Sequence, residues 1–450
     1  MINLFYLQAI MRRIVHTGAI AACGLLLSCG GGGGGSTGPA NVVSTSQVGS
    51  VLYLTSLYNG HTSRIGLDSS RGGAIVEVSY DGTNYVNTTD LGRDIQPALY
   101  DGAAEYNQTA GLFGWDPVLA GDTYLHPSQV TYSTMVNNTI NIRTIPMQWY
   151  PGILGSAAVP ATDVVFEQTV SVVPGSPLAF QLQIKTTYTG SATRYTVPQE
   201  YPAVYLNSAY HNFLTYSGNS PWTNDGTLAG ADTLSHSLSG TGPGPALASS
   251  ERWGALVDNS NNGLLLYMPV QYPLQDSYFS APATQGVANS ATNYFRPFVV
   301  QGFQTGQTFA ASAYLIPGPL AAARSQAYAI HTAVGPQLDI LPPLGIIDLP
   351  DLSTPGTAVL RGWVIDDTSS PAQITLTVAL DGVPISLAGS NFQKQMSRPD
   401  VATAYPGITD ATNSGWNLTL SGAQYVPGLH TVTVTATDAA GNVGHFARMQ

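Results

Sequence analysis

Ala74-Ile75-Val76-Glu77-Val78-Ser79-Tyr80, followed by Asp81-Gly82 and then Tyr85-Val86-Asn87, is the stretch on which the fold turns. The run is rich in β-branched residues, and Asp-Gly is a strong short-range signal for a tight hairpin. The chain therefore goes out as a strand, reverses and starts back. Outward from this hairpin the same pattern repeats. Residues 139–145, 164–173, 178–187, 254–258, 264–268 and 308–315 read as strands, separated by turns such as Pro174-Gly175-Ser176-Pro177 and residues 259–263. From about residue 51 to 316 no helical period interrupts them, which predicts one large all-β sandwich.

The longest helical candidate, residues 320–331, is alanine-rich and runs towards Gly335-Pro336. Leu341-Pro342-Pro343-Leu344 and Leu349-Pro350 then predict a stiff proline linker. Beyond Ala358, Ile374-Thr375-Leu376-Thr377-Val378 and Thr431-Val432-Thr433-Val434-Thr435 alternate apolar residues with threonine, as half-buried strands do. This last stretch of about 100 residues has the size of an immunoglobulin-like sandwich.

Composition points the same way. The chain has 450 residues, of which 44% are hydrophobic and only 9% charged, against roughly 25% charged in an ordinary globular chain. Lys185 and Lys394 are its only lysines, and Gly (48) and Pro (30) are abundant. A helical bundle would need Lys and Glu on its wet faces, and a disordered chain would carry more charge. The net charge of −11, with no basic stripe, argues against nucleic acid and against phosphorylated ligands.

The first residues predict export. Arg12-Arg13 precedes an apolar run that ends in Leu26-Leu27-Ser28-Cys29, which looks like a bacterial lipobox with Cys29 as the lipidated residue; Ile20-Ala21-Ala22-Cys23 is a second match. The run is short for a plain transmembrane anchor. Gly30 to Gly35 follows as a flexible tether. Cleavage before Cys29 leaves no other cysteine, so neither a disulfide, a thiol nucleophile nor a cysteine metal site is expected. The expected organisation is a signal peptide over 1–28, a tether over 29–49, the large sandwich over 50–318, a short helix and proline-rich linker over 319–355, and the second sandwich over 356–450. The expected location is the bacterial cell envelope, facing periplasm or exterior, with membrane contact through the lipid alone.

Arg71-Gly72-Gly73-Ala74-Ile75-Val76-Glu77-Val78, its turn, and Asp90-Leu91-Gly92-Arg93 resemble the opening strands of the galactose-mutarotase-like β-supersandwich. Sugar epimerases, several glycoside hydrolase families and polysaccharide lyases share that fold. The resemblance implies a carbohydrate polymer or oligosaccharide as partner, but the epimerases' catalytic His and Glu have no position-by-position match, so mutarotase activity is not implied. The C-terminal stretch resembles bacterial immunoglobulin-like modules through Arg361-Gly362-Trp363-Val364-Ile365-Asp366, Asp381-Gly382, Arg398-Pro399-Asp400, Asn413-Ser414-Gly415-Trp416 and Asp438-Ala439-Ala440-Gly441-Asn442. Such modules act as spacers or surface contacts.

Four clusters are candidates for chemistry. Asp90-Leu91-Gly92-Arg93-Asp94 offers Arg93 as a clamp for an acidic sugar, or else a structural salt bridge. Trp115-Asp116-Pro117, with Asp122 and His126, offers a stacking tryptophan and two acceptors; an Asp-Pro turn over a buried tryptophan and a structural calcium ion are alternatives. Pro198-Gln199-Glu200-Tyr201-Pro202-Ala203-Val204-Tyr205, followed by Tyr210-His211-Asn212, places a carboxylate among aromatic and proline residues. Burial there would raise its pKa, as a general acid requires. Ser220-Pro221-Trp222-Thr223-Asn224-Asp225 and Glu251-Arg252-Trp253 add further platforms and carboxylates, or rim aromatics and an Arg–Glu pair. No Gly-x-Ser-x-Gly, His-Glu-x-x-His or phosphate-binding loop is present.

The expected function is cleavage of glycosidic bonds of a polysaccharide. Glu200 would be the acid, Asp116, Asp122 or Asp225 the second carboxyl group, and His211 a partner base. Arg93, Trp115, Trp222, Tyr201, Tyr205, Glu251 and Trp253 would bind sugar. No cofactor or catalytic metal is expected. A polysaccharide lyase and a non-catalytic glycan binder are the alternatives.

Overall fold

The computed structural model describes residues 41–101, 114–151, 157–236, 244–270, 272–279, 291–334, 342–348, 350, 357–388, 391–406, 408–421 and 429–449. The signal segment, Cys29 and the glycine run lie outside them. Asn41–Gln450 forms one compact unit. As expected it is all-β, and its described strands form five sheets.

The opening hairpin is as read. Ala74–Tyr80 is a strand, Asp81 and Gly82 take left-handed backbone angles of 48° and 83°, and Tyr80 pairs with Thr83. This hairpin ends a five-stranded meander that begins earlier than expected. Val42–Val48, read as the end of the tether, is a strand paired with Val51–Tyr58. Its β-branched residues favour extended backbone, and Gly49-Ser50 supplies the turn.

Two larger sheets carry the body of the molecule. The nine-stranded sheet runs in the order Leu228–Asp232, Asn212–Tyr216, Trp253–Val257, Asn262–Tyr267, Thr308–Pro319, Ser176–Tyr188, Val164–Val173, Thr139–Ile145, Gln129–Val136. The seven-stranded sheet runs Met147–Gln148, Pro117–Val118, Gln96–Ala98, Arg194–Asn207, Thr292–Pro297, Leu274–Phe279, with Val299–Phe303 also paired to Arg194–Asn207. Phe180, Phe213, Leu256, Leu264, Val204, Leu206 and Phe295 are fully buried members of one core shared by both sheets. The helix Leu320–Val334 buries Leu320, Ala323, Ala327 and Ile330, at helical spacing, in a separate cluster with Trp253, Leu265, Tyr267 and Ile316 of the nine-stranded sheet, and buries Arg324 beside them.

Residues expected as linker also take part in the C-terminal sandwich. Leu344–Ile347 is a strand paired with Thr357–Ile365, in a four-stranded sheet that packs on a second one. Leu344 and Ile347 point apolar side chains inward, so they add core as well as reach. Leu344, Trp363, Ile365, Val401 and Tyr405 join the main core cluster. Tyr195 and Thr431 share a hydrogen bond of 3.0 Å between their hydroxyls, and the Ala447 amide donates to Thr196. The second sandwich is thus docked on the first through a buried contact. No helix among the described residues is long and apolar enough to cross a membrane.

Candidate functional site

Pairing in the seven-stranded sheet decides which side chains meet. Val204 is opposite Phe295, and Tyr205 is opposite Tyr294. Side chains alternate along a strand, so Val204 and Phe295 fill the core while Tyr205, Tyr294 and Arg296 lie on the other face. Glu200 is opposite Ala98, next to a bulge between Glu200 and Ala203; such irregularities re-aim side chains. The Tyr294 hydroxyl donates to Glu200 Oε1 at 2.5 Å, and Arg296 Nη1 donates to the same oxygen at 3.2 Å. Arg296 Nη2 reaches Gln275 at 3.4 Å. The rings of Tyr205 and Tyr294 lie 4.7 Å apart, with Phe279 against both.

Glu200 is 8% exposed and Tyr205 half-buried, so the cluster borders solvent without lying open to it. Burial pushes the Tyr205 phenol well up, and the charge of Glu200 pushes it further. Tyr294 is raised likewise, mainly by burial. Both are therefore proton donors at neutral pH. Burial lowers the Arg296 pKa, but the surrounding Tyr294, Glu200 and Tyr100 outweigh it, so the guanidinium stays charged. The apolar surroundings expected for Glu200 are corrected here. Its side chain accepts from a cation and a phenol, which is how a carboxylate is positioned to act as an acceptor.

Of the residues singled out from sequence, Glu200, Tyr205 and Arg93 come together. Arg93 and Asp90 form a buried ion pair at 3.6 Å, and both charges act on Tyr205. Asp116 directly precedes Pro117–Val118, the strand of the same sheet beyond Gln96–Ala98. Two strand spacings and two residues put its backbone about 12 Å from that of Glu200. It is fully buried; Oδ2 accepts from the Tyr150 amide and Oδ1 has no hydrogen-bond partner among the described residues. Burial pushes its carboxyl up to about 8, against the opposing pull of backbone amides.

The other expected residues go elsewhere. Asp122 accepts from the amides of Tyr124 and His126 and from the His126 ring, closing its own loop. Trp115 is 5% exposed, donates to Asp163 and lies under Arg194, so it is core and not a platform. Tyr201 is buried with its hydroxyl on Thr186. His211 pairs with Asp232 in the nine-stranded sheet region, away from Glu200. Asp225 accepts from Tyr216 and Thr227 within its turn. Glu251 is fully buried and accepts from Arg324 twice at 2.9 Å, from the Trp253 indole at 2.8 Å, from the Trp222 amide and from Tyr328. It ties the helix to the sheet. Trp253 is buried beside it, and Trp222 stacks on His331 at 3.6 Å. Among the described residues, no three His, Cys, Asp or Glu side chains converge as a metal site.

Sequence reading missed Tyr294, Arg296, Gln275 and Phe279. The available signal was Thr292-Asn293-Tyr294-Phe295-Arg296, an alternating strand carrying one of few basic residues. It also missed Trp149. This half-buried tryptophan lies over Gly92, where an added Cβ would come within 2.5 Å of its ring. Gly92 therefore makes room for an aromatic plate beside Arg93.

No family model and no curated protein matches this chain. Solved structures do. A putative aldose 1-epimerase from Escherichia coli K12 is similar at 11% identity and TM-score 0.33, over 62% of this chain and 99% of that one. A polysaccharide lyase is similar at 9% identity and TM-score 0.34, over 86% and 45%. A heparan sulfate lyase from Pedobacter heparinus is similar at 10% identity and TM-score 0.31, over 72% and 41%. The chain thus spans less than half the length of these two lyases.

Proposed function

We propose that this protein is a carbohydrate-active enzyme that cleaves an acidic polysaccharide by β-elimination on the Glu200 face of the seven-stranded sheet. The observation that carries the reading is the Glu200–Tyr294–Arg296 constellation, faced by Tyr205. Elimination needs a base for the proton α to a uronate carboxylate, a cation to offset the charge that develops there, and an acid for the leaving oxygen. Glu200 takes the C5 proton, the electron pair of the broken C5–H bond forms the C4–C5 double bond, and the C4–O bonding pair leaves with the oxygen. Tyr205, protonated and at the solvent border, gives its proton to the departing oxygen. Arg296 faces the uronate carboxylate, and Trp149 is the plate on which a neighbouring ring rests.

A second reading is hydrolysis, favoured by Asp116. A carboxyl group protonated up to about pH 8 is a ready general acid, and glycoside cleavage by water uses one such acid with a second carboxyl group. The purified protein incubated with uronate-containing and neutral polysaccharides separates the two. New ultraviolet absorbance from an unsaturated uronate, abolished in Glu200→Gln, is expected. Reducing ends without absorbance support hydrolysis. Retention on glycans without either signal leaves a binding protein. We further propose that lipid on Cys29 and the glycine tether hold this enzyme at the bacterial envelope, where released sugars stay close to the cell; the test is palmitate labelling lost in Cys29→Ala.

A further inference from the structure

Cationic side chains are few in this chain, with 15 Lys and Arg against 26 Asp and Glu. Arg12 and Arg13 fall in the expected signal segment, and after residue 40 every Lys and Arg is a described residue. Those on the seven-stranded sheet and in the segments beside it are already matched by carboxylates. Arg296 holds Glu200 at 3.2 Å, and Arg194, on the same strand as Glu200, holds Asp163 at 2.8 Å. Arg71 holds Asp94 at 2.9 Å, and the fully buried Arg93 pairs with Asp90. His126 and His236 likewise face the buried carboxylates of Asp122 and Asp276. The exposed cations Arg143 and Lys185 lie in the other large sheet, each opposite Glu167. Among the described residues, the one cation bonded to Glu200 is Arg296.

We propose that the polysaccharide taken by the Glu200 face is a uronate polymer without sulfate esters. The proposal rests on the elimination assigned to that face and narrows its substrate. Glu200 and Arg296 together carry no net charge before reaction. When Glu200 takes the proton it becomes neutral, and the guanidinium is free to balance the one uronate carboxylate on which negative charge builds. One cation thus serves one substrate charge. A sulfate ester is ionised throughout the neutral range, and each one adds a charge for which the face has no free cation. The chain's net charge of −11 repels it further. Tight binding of a densely charged polyanion uses clustered, unmatched Lys and Arg, as phosphate chains show.

The test offers chondroitin, heparosan, alginate, polygalacturonate and glucuronoxylan, each before and after chemical O-sulfation. Absorbance of the unsaturated product gives turnover by the natural chain. Tyr205→Phe, which removes the acid and leaves every charge in place, gives affinity without cleavage. On the best unsulfated polymer, sulfation should lower both kcat/KM and affinity at least tenfold in 0.1 M salt. The gap should narrow in 1 M salt, where the screening length falls from about 10 Å to about 3 Å. A sulfated polymer bound or cleaved as well as its parent overturns the proposal. So does a gap that salt leaves unchanged, because the exclusion is then steric. Salt-sensitive preference for unsulfated polymers without absorbance from any of them refutes the elimination and upholds the charge selection. Binding of no polymer overturns both.

Discussion

Replacing Asp116 by Asn tests the electrostatics of the seven-stranded sheet directly. Burial raises this carboxyl from 3.8 to about 8 in the folded protein. Between those values the folded state holds a proton that the unfolded chain has released. Stability therefore falls as pH rises from about 4 to about 8 and is level above it, at about 1.36 kcal/mol per pH unit. Four units would amount to about 5 kcal/mol, and water reaching the site reduces that, so about 3–5 kcal/mol is expected. Asparagine copies the protonated form. Its oxygen can accept from the Tyr150 amide as Oδ2 does, and its amide occupies the place of the unpartnered Oδ1. The two proteins should be equally stable near pH 4, with the variant gaining steadily up to pH 8. Urea unfolding followed by tryptophan fluorescence at half-unit steps of pH gives the difference, in which other titrations cancel. A difference independent of pH, or a variant that loses ground as pH rises, would refute the reasoning and indicate an ionised Asp116 with a cationic partner.

Glu251→Ala leaves the buried Arg324 guanidinium without its bidentate partner and should cost about 3–5 kcal/mol, seen as a lower thermal midpoint; Glu251→Gln should cost less. Glu200→Gln should lower turnover by roughly 10²–10⁴-fold and lower the melting temperature modestly, since the amide keeps one acceptor for Tyr294 and Arg296 but offers the guanidinium no charge and cannot take a proton. Gly92→Val pushes the Trp149 ring aside and should raise KM more than it lowers kcat if that ring is a substrate plate; equal effects on both would count against it. Trp115→Phe loses its bond to Asp163, so stability should fall by about 1–3 kcal/mol while the activity of the remaining folded protein is intact.

Strand identity was legible because it is a local property. The stretches 74–80, 139–145 and 164–173 alternate side chains within themselves, and the turns beside them carry Asp81-Gly82, Asn137-Asn138 and Pro174-Gly175. Their ends match the structure for the same reason. Val42–Val48 was passed over because a glycine run came before it, although its own residues favour extended backbone. Aromatic clusters were less legible. A tryptophan beside a carboxylate reads the same whether it faces sugar or core, and Trp115, Trp222 and Trp253 are packed against Asp163, His331 and Arg324, all from distant segments.

The sequence by itself determined an all-β chain of alternating strands, the alanine-rich helix, and Glu200 as a carboxylate worth attention. Only the tertiary structure decided what Glu200 meets. Tyr294 lies 94 residues away and Arg296 lies 96 away. They arrive because Thr292–Pro297 pairs with Arg194–Asn207 in one register; a shift of one residue would turn Tyr294 and Arg296 into the core. Such a register is set by the summed burial of two sheet faces, which no local window of sequence contains. Burial of the same kind made Glu251 a structural tie and Asp116 a protonated acid, though on paper the two are equivalent carboxylates.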